Sequence, residues 1–250
     1  MYYETNVYWN AGAVKKINQD SVLVLQALTS RGRVLLAAVC DGMGGMEEGE
    51  CASGYVTEEL IAWFYDGLLY AIGKKKPLWV IRRSLERKVY QMQNRMQDYA
   101  RKRKIFMGTT MSVLVLWEKR YFIWHLGDSR IYWMKGRSYM GKRSKSAQKK
   151  CTLKQITEDH VQGKNRLTKC VGNCGFFVPD FKTGIVRRRE AFLLCSDGFW
   201  NELQEEELRE VLQPERMTEE TSERRLKELA DAVMRRGEKD NLSAVYIKCL

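Results

Sequence analysis

The chain has 250 residues, 44% hydrophobic and 30% charged, enough to close a core that hides about 70% of the unfolded surface, and a composition that excludes collagen-like, low-complexity and disordered classes. Its 43 Lys and Arg against 31 Asp and Glu leave a formal charge of +12, but the basic residues fall in short scattered runs (74–76, 101–104, 142–150, 187–189) without interleaved aromatics, which argues against a nucleic-acid partner. No apolar run approaches the roughly 20 residues that span a bilayer, and no basic region followed by an apolar stretch opens the chain, so no membrane association is expected.

In chain order, short runs rich in Val, Leu, Ile and aromatics predict strands over Ser21–Leu28 and Val34–Cys40. Ala52, Tyr55, Val56, Leu60 and Trp63 then form one helical apolar face, and Leu78, Ile81, Leu85, Val89, Met92, Met96 and Tyr99 form a second. Thr110–Trp117 and Tyr121–His125, separated by Glu118, Lys119 and Arg120, predict an antiparallel hairpin. A strand over Arg130–Met134 leads into the polar, basic stretch Lys135–Lys150, which reads as a long mobile loop. Ala191–Cys195 and Leu242–Cys249 complete the strands, with a helix carrying Leu226, Leu229, Val233 and Met234 between them.

Antiparallel strands and grouped helices together predict an α+β fold with helices layered on the sheets. Without repeats or a linker, and with only three prolines, one domain over residues 1–250 is expected. The seven cysteines are odd in number and include no CxxC pair, which disfavours a disulfide framework or zinc knuckle and points to a reducing cytoplasm.

The chemistry lies in where the aspartates fall. Three apolar strands each run into an Asp beside a glycine: Asp41-Gly42, Gly127-Asp128 and Asp197-Gly198. Asp240 precedes the last strand and Asp20 opens the first. Carboxylates at buried strand ends are partly desolvated and repel one another unless a cation neutralises them. Oxygen-only ligands select hard ions such as Mg²⁺ or Mn²⁺, and the two histidines supply a zinc site poorly. Any one of these aspartates taken alone is equally an ordinary turn or cap residue.

Taken in order, Asn18-Gln19-Asp20-Ser21, Asp41-Gly42-Met43-Gly44-Gly45, Gly108-Thr109-Thr110, Gly127-Asp128-Ser129-Arg130, Thr157-Glu158-Asp159-His160, Ser196-Asp197-Gly198 and Asp240-Asn241 resemble the motifs of the metal-dependent protein phosphatases, the type 2C serine/threonine phosphatases, in their bacterial form. The resemblance implies a sandwich of two antiparallel sheets flanked by helix pairs, with two Mn²⁺ or Mg²⁺ ions at one end. It implies that Asp41 bridges the ions, that the Gly42 carbonyl serves one and Asp197 and Asp240 the other, and that Asp20 acts through bound water. Asp128, with Asp197, matches the position of a third, weaker ion. Asp41, Asp197 and Asp240 would then be catalytic through metal-activated water, and phosphorylated proteins, opposed to a serine/threonine kinase, would be the partners. Cys40 and Cys195 beside these motifs are followed by no phosphate-cradling C-x₅-R loop and read as core.

Three departures stand out. Lys15 occupies the position of the family's phosphate-gripping arginine, keeping the charge but losing the bidentate fork. Met43 stands where animal members carry a histidine, and Met46 where bacterial relatives often do. The flap expected after Asp159-His160 is almost absent, since Val161–Arg166 leads straight to Leu167-Thr168-Lys169-Cys170-Val171-Gly172. Two alternatives predict different behaviour: a pseudophosphatase that binds phosphorylated or acidic partners without turnover, and a polyanion binder with steeply salt-dependent affinity.

Overall fold

The computed structural model describes residues 1–44, 48–136, 151–163, 166–172, 175 and 177–250. The Met46 position and the predicted loop from residue 137 to 150 lie outside these. The chain begins with three strands, β1 (Tyr3–Asn10), β2 (Asp20–Thr29) and β3 (Gly32–Gly44). A helical rod follows, made of α1 (Gly49–Ala62), a π-helical stretch (Trp63–Leu69) and α2 (Tyr70–Gly73), and α3 (Leu78–Arg103) folds back along it. Next come β4 (Met107–Thr109), β5 (Met111–Trp117), β6 (Arg120–Leu126), β7 (Arg130–Lys135) and β8 (Thr152–Gln155). The two-residue strands β9 (Val161–Gln162), β10 (Arg166–Leu167) and β11 (Val171–Gly172) precede β12 (Asp180–Ile185) and β13 (Glu190–Cys195). Helices α4 (Asp197–Trp200), α5 (Glu205–Val211) and α6 (Glu219–Arg235) lead to the last strand, β14 (Leu242–Cys249).

Two antiparallel sheets form the centre. One has the order β1-β14-β13-β7-β8; the other runs β11-β4-β3-β5-β6-β12, with β2 also paired to β3. The continuous apolar run of β3 follows from its place between two packed layers. Leu35, Ala37 and Val39 point between the sheets, where they meet Phe192, Leu194, Val245 and Ile247, while Leu36, Ala38 and Cys40 face the helices α1 and α3. On the opposite outer face, α5 and α6 bury Leu208, Leu226, Leu229 and Val233 against Leu193, Ala244 and Tyr246. The result is a four-layer αββα arrangement, as expected.

Several details differ from the sequence reading. β1 and β12 carry no clean alternation because both are edge strands with half-exposed side chains. Leu78 and Tyr99, assigned to the apolar face of α3, are exposed because they sit at the ends of the helix, beyond the sheet it covers. Cys170 is disulfide-bonded, against the expectation of free thiols throughout; Cys40, Cys51, Cys151, Cys195 and Cys249 are free. Between His160 and Leu167 the described chain forms only the β9–β10 pair, in keeping with the missing flap.

Candidate active site

The long strands deliver the acidic residues to one end of the sandwich. Asp20 and Asp41 stand opposite each other in the β2–β3 register, Asp128 follows β6, Asp197 follows β13, and Asp240 precedes β14. They surround a cleft of about 520 Å³ lined by Lys15, Asp41, Asp128, Asp159, Asp197, Glu238 and Asp240, with Gln19, Met43, Thr110 and Trp200 between them. Lys15 is the one cation among the described lining residues.

Backbone contacts fix each carboxylate. Thr110 Oγ1 accepts the Asp41 N–H at 2.8 Å, and the Thr110 N–H and Thr109 hydroxyl both donate to the Asp41 carbonyl at 2.9 Å. Asn241 holds the loop before β2 against the strand that carries Asp240: its Oδ1 accepts the Gln19 N–H at 2.9 Å, and its Nδ2 donates to the Ala11 and Ile17 carbonyls. Two glycines allow close backbone approach. A Cβ on Gly42 would lie 2.1 Å from the Gly49 carbonyl oxygen, and one on Gly198 would lie 2.2 Å from that of Asn241. On the far wall, Asp159 accepts a forked pair of bonds from Arg130, whose guanidinium lies over Trp200, and the Trp200 indole donates to the Asp128 carbonyl at 3.2 Å.

The electrostatics are those of crowded, desolvated carboxyls. Burial, then the charges of Asp197 and Asp20, push Asp41 well above the usual carboxylate range. Burial raises Asp197 as well, reinforced by Asp240. Asp128 is pushed up to about 7 by burial and by Asp197. Asp20 reaches about 7, mainly by burial; it is 3% exposed and its Oδ2 has no hydrogen-bond partner.

These observations test the fit of divalent ions. Neighbouring carboxyls on Asp41 and Asp197 with raised pKa values, an orphaned buried oxygen on Asp20 and an all-oxygen donor set are what a hard cation would neutralise, satisfy and use. No group of three or more acidic, His or Cys side chains among the described residues is gathered around a single point. Asp41, the Gly42 carbonyl, Asp128, Asp197 and Asp240 face or border the cleft. Asp20 stands behind Asp41 rather than in the lining, and Lys15 reaches Asp240 at 3.3 Å. The sequence reading singled out neither Glu238 nor Trp200, because neither adjoins a strand-end glycine. Cys40 and Cys195 are fully buried and their thiols are pushed up by burial, as core residues.

An αββα sandwich with an acidic, metal-fitting cleft at its strand ends defines a metal-dependent phosphatase. The chain matches the protein phosphatase 2C family over residues 12–234 and belongs to that family. It is 29% identical over 216 residues to the protein phosphatase PhpP of Streptococcus pneumoniae, covering 84% of each chain. Its fold is similar to that of a serine/threonine phosphatase of S. agalactiae, with a TM-score of 0.77, 21% identity and full coverage of both chains. It also resembles the catalytic domain of PstP, solved in complex with two manganese ions, with a TM-score of 0.69 and 23% identity over 98% of this chain and 97% of that one. The chain is a metal-dependent protein serine/threonine phosphatase of the bacterial type. Nothing in these likenesses supports the non-hydrolysing alternative.

Proposed function

We propose that the whole of residues 1–250 acts as one catalytic domain whose cleft holds two Mn²⁺ or Mg²⁺ ions on Asp41, the Gly42 carbonyl, Asp197 and Asp240, with Asp20 in support and Asp128 open to a third. The observation that carries this reading is the charge imbalance of the cleft: Asp41, Asp128, Asp159, Asp197, Glu238 and Asp240 face one lysine, and such a wall repels a phosphate ester unless cations neutralise it. The two-manganese complex of PstP supports the ion count. When bound, the ions supply a water acidic enough to give hydroxide near neutral pH and a clamp for phosphoryl charge.

The protein's own residues then have separate tasks. Lys15 binds a phosphate oxygen at the cleft mouth, and its pairing with Asp240 positions it there. Thr109 and Thr110 hold the Asp41 backbone, and Asn241 keeps the Asp240 loop against Gln19. Met43 cannot donate a proton, so the leaving alkoxide takes its proton from water. With the β9–β10 pair the only element between His160 and Leu167 among the described residues, the cleft is open to whole phosphoproteins rather than to small esters alone. The substrates in this reading are phosphoserine and phosphothreonine proteins made by a serine/threonine kinase in the cytoplasm.

The test is hydrolysis of a phosphothreonine peptide and of p-nitrophenyl phosphate with Mn²⁺, Mg²⁺ or chelator, for wild type, Asp41→Asn and Asp197→Asn. Metal-dependent turnover that is lost in both variants is expected. No turnover by folded wild type at saturating Mn²⁺ would overturn the reading.

A further inference from the structure

Three of the strands that deliver a carboxylate to the cleft begin, at their other end, beside cations. β3 leaves Arg33 and reaches Asp41, β6 leaves Arg120 and leads to Asp128, and β13 follows Arg187–Arg189 and leads to Asp197. At about 3.3 Å per residue, the eight steps from Arg33 to Asp41 separate the two ends by roughly 26 Å. Cations at residues 75–76, 119–120 and 187–189, scattered in sequence, are therefore gathered at one end, whereas the run 101–104 closes α3 just before β4, at the cleft end. The loop carrying Lys75 and Lys76 shares a hollow with Arg31 and Arg120, and the same β5–β6 turn shares a second hollow with Tyr2 and Arg188. The Val186 N–H donates to the Lys119 carbonyl, fixing the Arg187–Arg189 loop alongside. Among the described residues, the only ion pair that these cations make is that of Arg31 with Glu118, at 3.2 Å.

Apolar side chains stand out of the same pole. Leu28, Ile185 and Trp79 are 75%, 64% and 61% exposed, Leu28 facing Arg33 across the β2–β3 pair and Ile185 facing Arg120 across β12–β6. The aromatic rings there are capped by cations: Arg33 over Tyr2, Arg31 over Trp117, Arg83 over Trp79. Capped rings offer a base little room to stack, and Leu28 and Ile185 have no use for a soluble polyanion. Cations surrounding the projecting Leu28 and Ile185 match an anionic lipid surface, where the charges attract and the apolar tips enter the headgroup zone.

We propose that this pole docks the enzyme on the surface of an anionic phospholipid bilayer, with the acidic cleft held at the far end and facing away. The cleft's acidic lining lies at the far end of the strands, away from such a surface.

The test is co-sedimentation with vesicles of phosphatidylcholine alone and of equal parts phosphatidylcholine and phosphatidylglycerol, with thermal melting to verify folding. Binding to the mixed vesicles only, weakened by salt, is expected. Lys76→Gln, Lys119→Gln and Arg188→Gln together should lower that affinity roughly 100-fold, since each cation near the surface contributes about 1 kcal/mol. Leu28→Ser with Ile185→Ser should lower it several-fold further, leaving binding to duplex DNA and poly-glutamate controls unchanged. The proposal falls if the mixed vesicles are not bound, or if the triple variant binds them as wild type does. It also falls if the Leu28→Ser, Ile185→Ser protein keeps full vesicle affinity, which would assign the pole to a soluble polyanion or acidic protein.

Discussion

The Lys15 ammonium stands 3.3 Å from the Asp240 carboxylate, with both side chains almost half exposed. An ion pair this open contributes at most about 1 kcal/mol to stability. Its consequence is positional, keeping the cleft's one lining cation where an incoming phosphate arrives. A lysine presents a point charge, whereas an arginine presents a planar fork that grips two phosphate oxygens. Lys15→Arg should therefore lower KM for a phosphothreonine peptide and Lys15→Gln should raise it several-fold, both with melting temperatures close to wild type. A KM that is unchanged or higher in Lys15→Arg contradicts this assignment.

The crowding of the Asp41 and Asp197 carboxyls, both pushed up first by burial, makes a second expectation about stability rather than rate. Without metal, the folded chain must either hold a proton there or bear two neighbouring charges. Asp41→Asn keeps the shape and removes the repulsion, so the metal-free variant should melt higher than metal-free wild type at pH 7.5, even though it has lost turnover. Such opposition between stability and activity is common where a site is built strained. An apo protein destabilised by this change would show that the Asp41 carboxyl is a structural prop.

Metal removal should be felt most at high pH. Asp20 and Asp128 are both raised to about 7, so between about 4 and 7 the folded state holds protons that the unfolded state has released. Stability of the chelated protein from these groups is thus fully present below about pH 4 and is lost as pH rises through 7. Cations compete with the same protons and take over the neutralising role. Saturating Mn²⁺ should raise the melting temperature more at pH 8 than at pH 5.5. An equal or reversed shift would place the ions elsewhere.

The acidic end of the fold was legible because each of its parts has a local signature. A run such as Val34–Cys40 is apolar on both faces only when a strand is packed between layers, and Gly42 and Gly198 betray the backbone crowding that a side chain would block. What sequence did not disclose was made by packing at a distance. β1 reads Tyr3-Glu4-Thr5-Asn6-Val7, too polar to announce a strand, and is held by its full pairing with β14 at the other end of the chain. Trp200 and Glu238 reach the cleft only because α4 and the β14 loop meet there. The basic pole was invisible for the same reason: Lys75, Lys119 and Arg188 are far apart in sequence, and sheet register alone brings their loops together.

His125 offers the clearest separation of one group's contribution. Its imidazole is 1% exposed, stacked on His160 at 4.9 Å, with Nε2 at 3.0 Å from the Glu158 carbonyl and Nδ1 at 2.9 Å from the Ser112 hydroxyl. A carbonyl can only accept, so Nε2 carries the proton; in the neutral ring Nδ1 accepts from the Ser112 hydroxyl, which also lies 3.0 Å from the Ser129 carbonyl. Burial, then the neighbouring His160, lower its pKa to about 4, and the folded ring stays neutral where the unfolded one has gained a charge. Its contribution is therefore present above about pH 6.5 and lost as pH falls towards 4, by up to about 3 kcal/mol at 1.36 kcal/mol per pH unit. Asp20 and Asp128 act in the opposite direction across part of this window, so the measurement must be a difference. Urea unfolding of chelated wild type and His125→Asn should show a stability gap that is widest near pH 7 and narrows towards pH 4. A gap independent of pH would mean that folding leaves the ring's pKa where it stands in the unfolded chain.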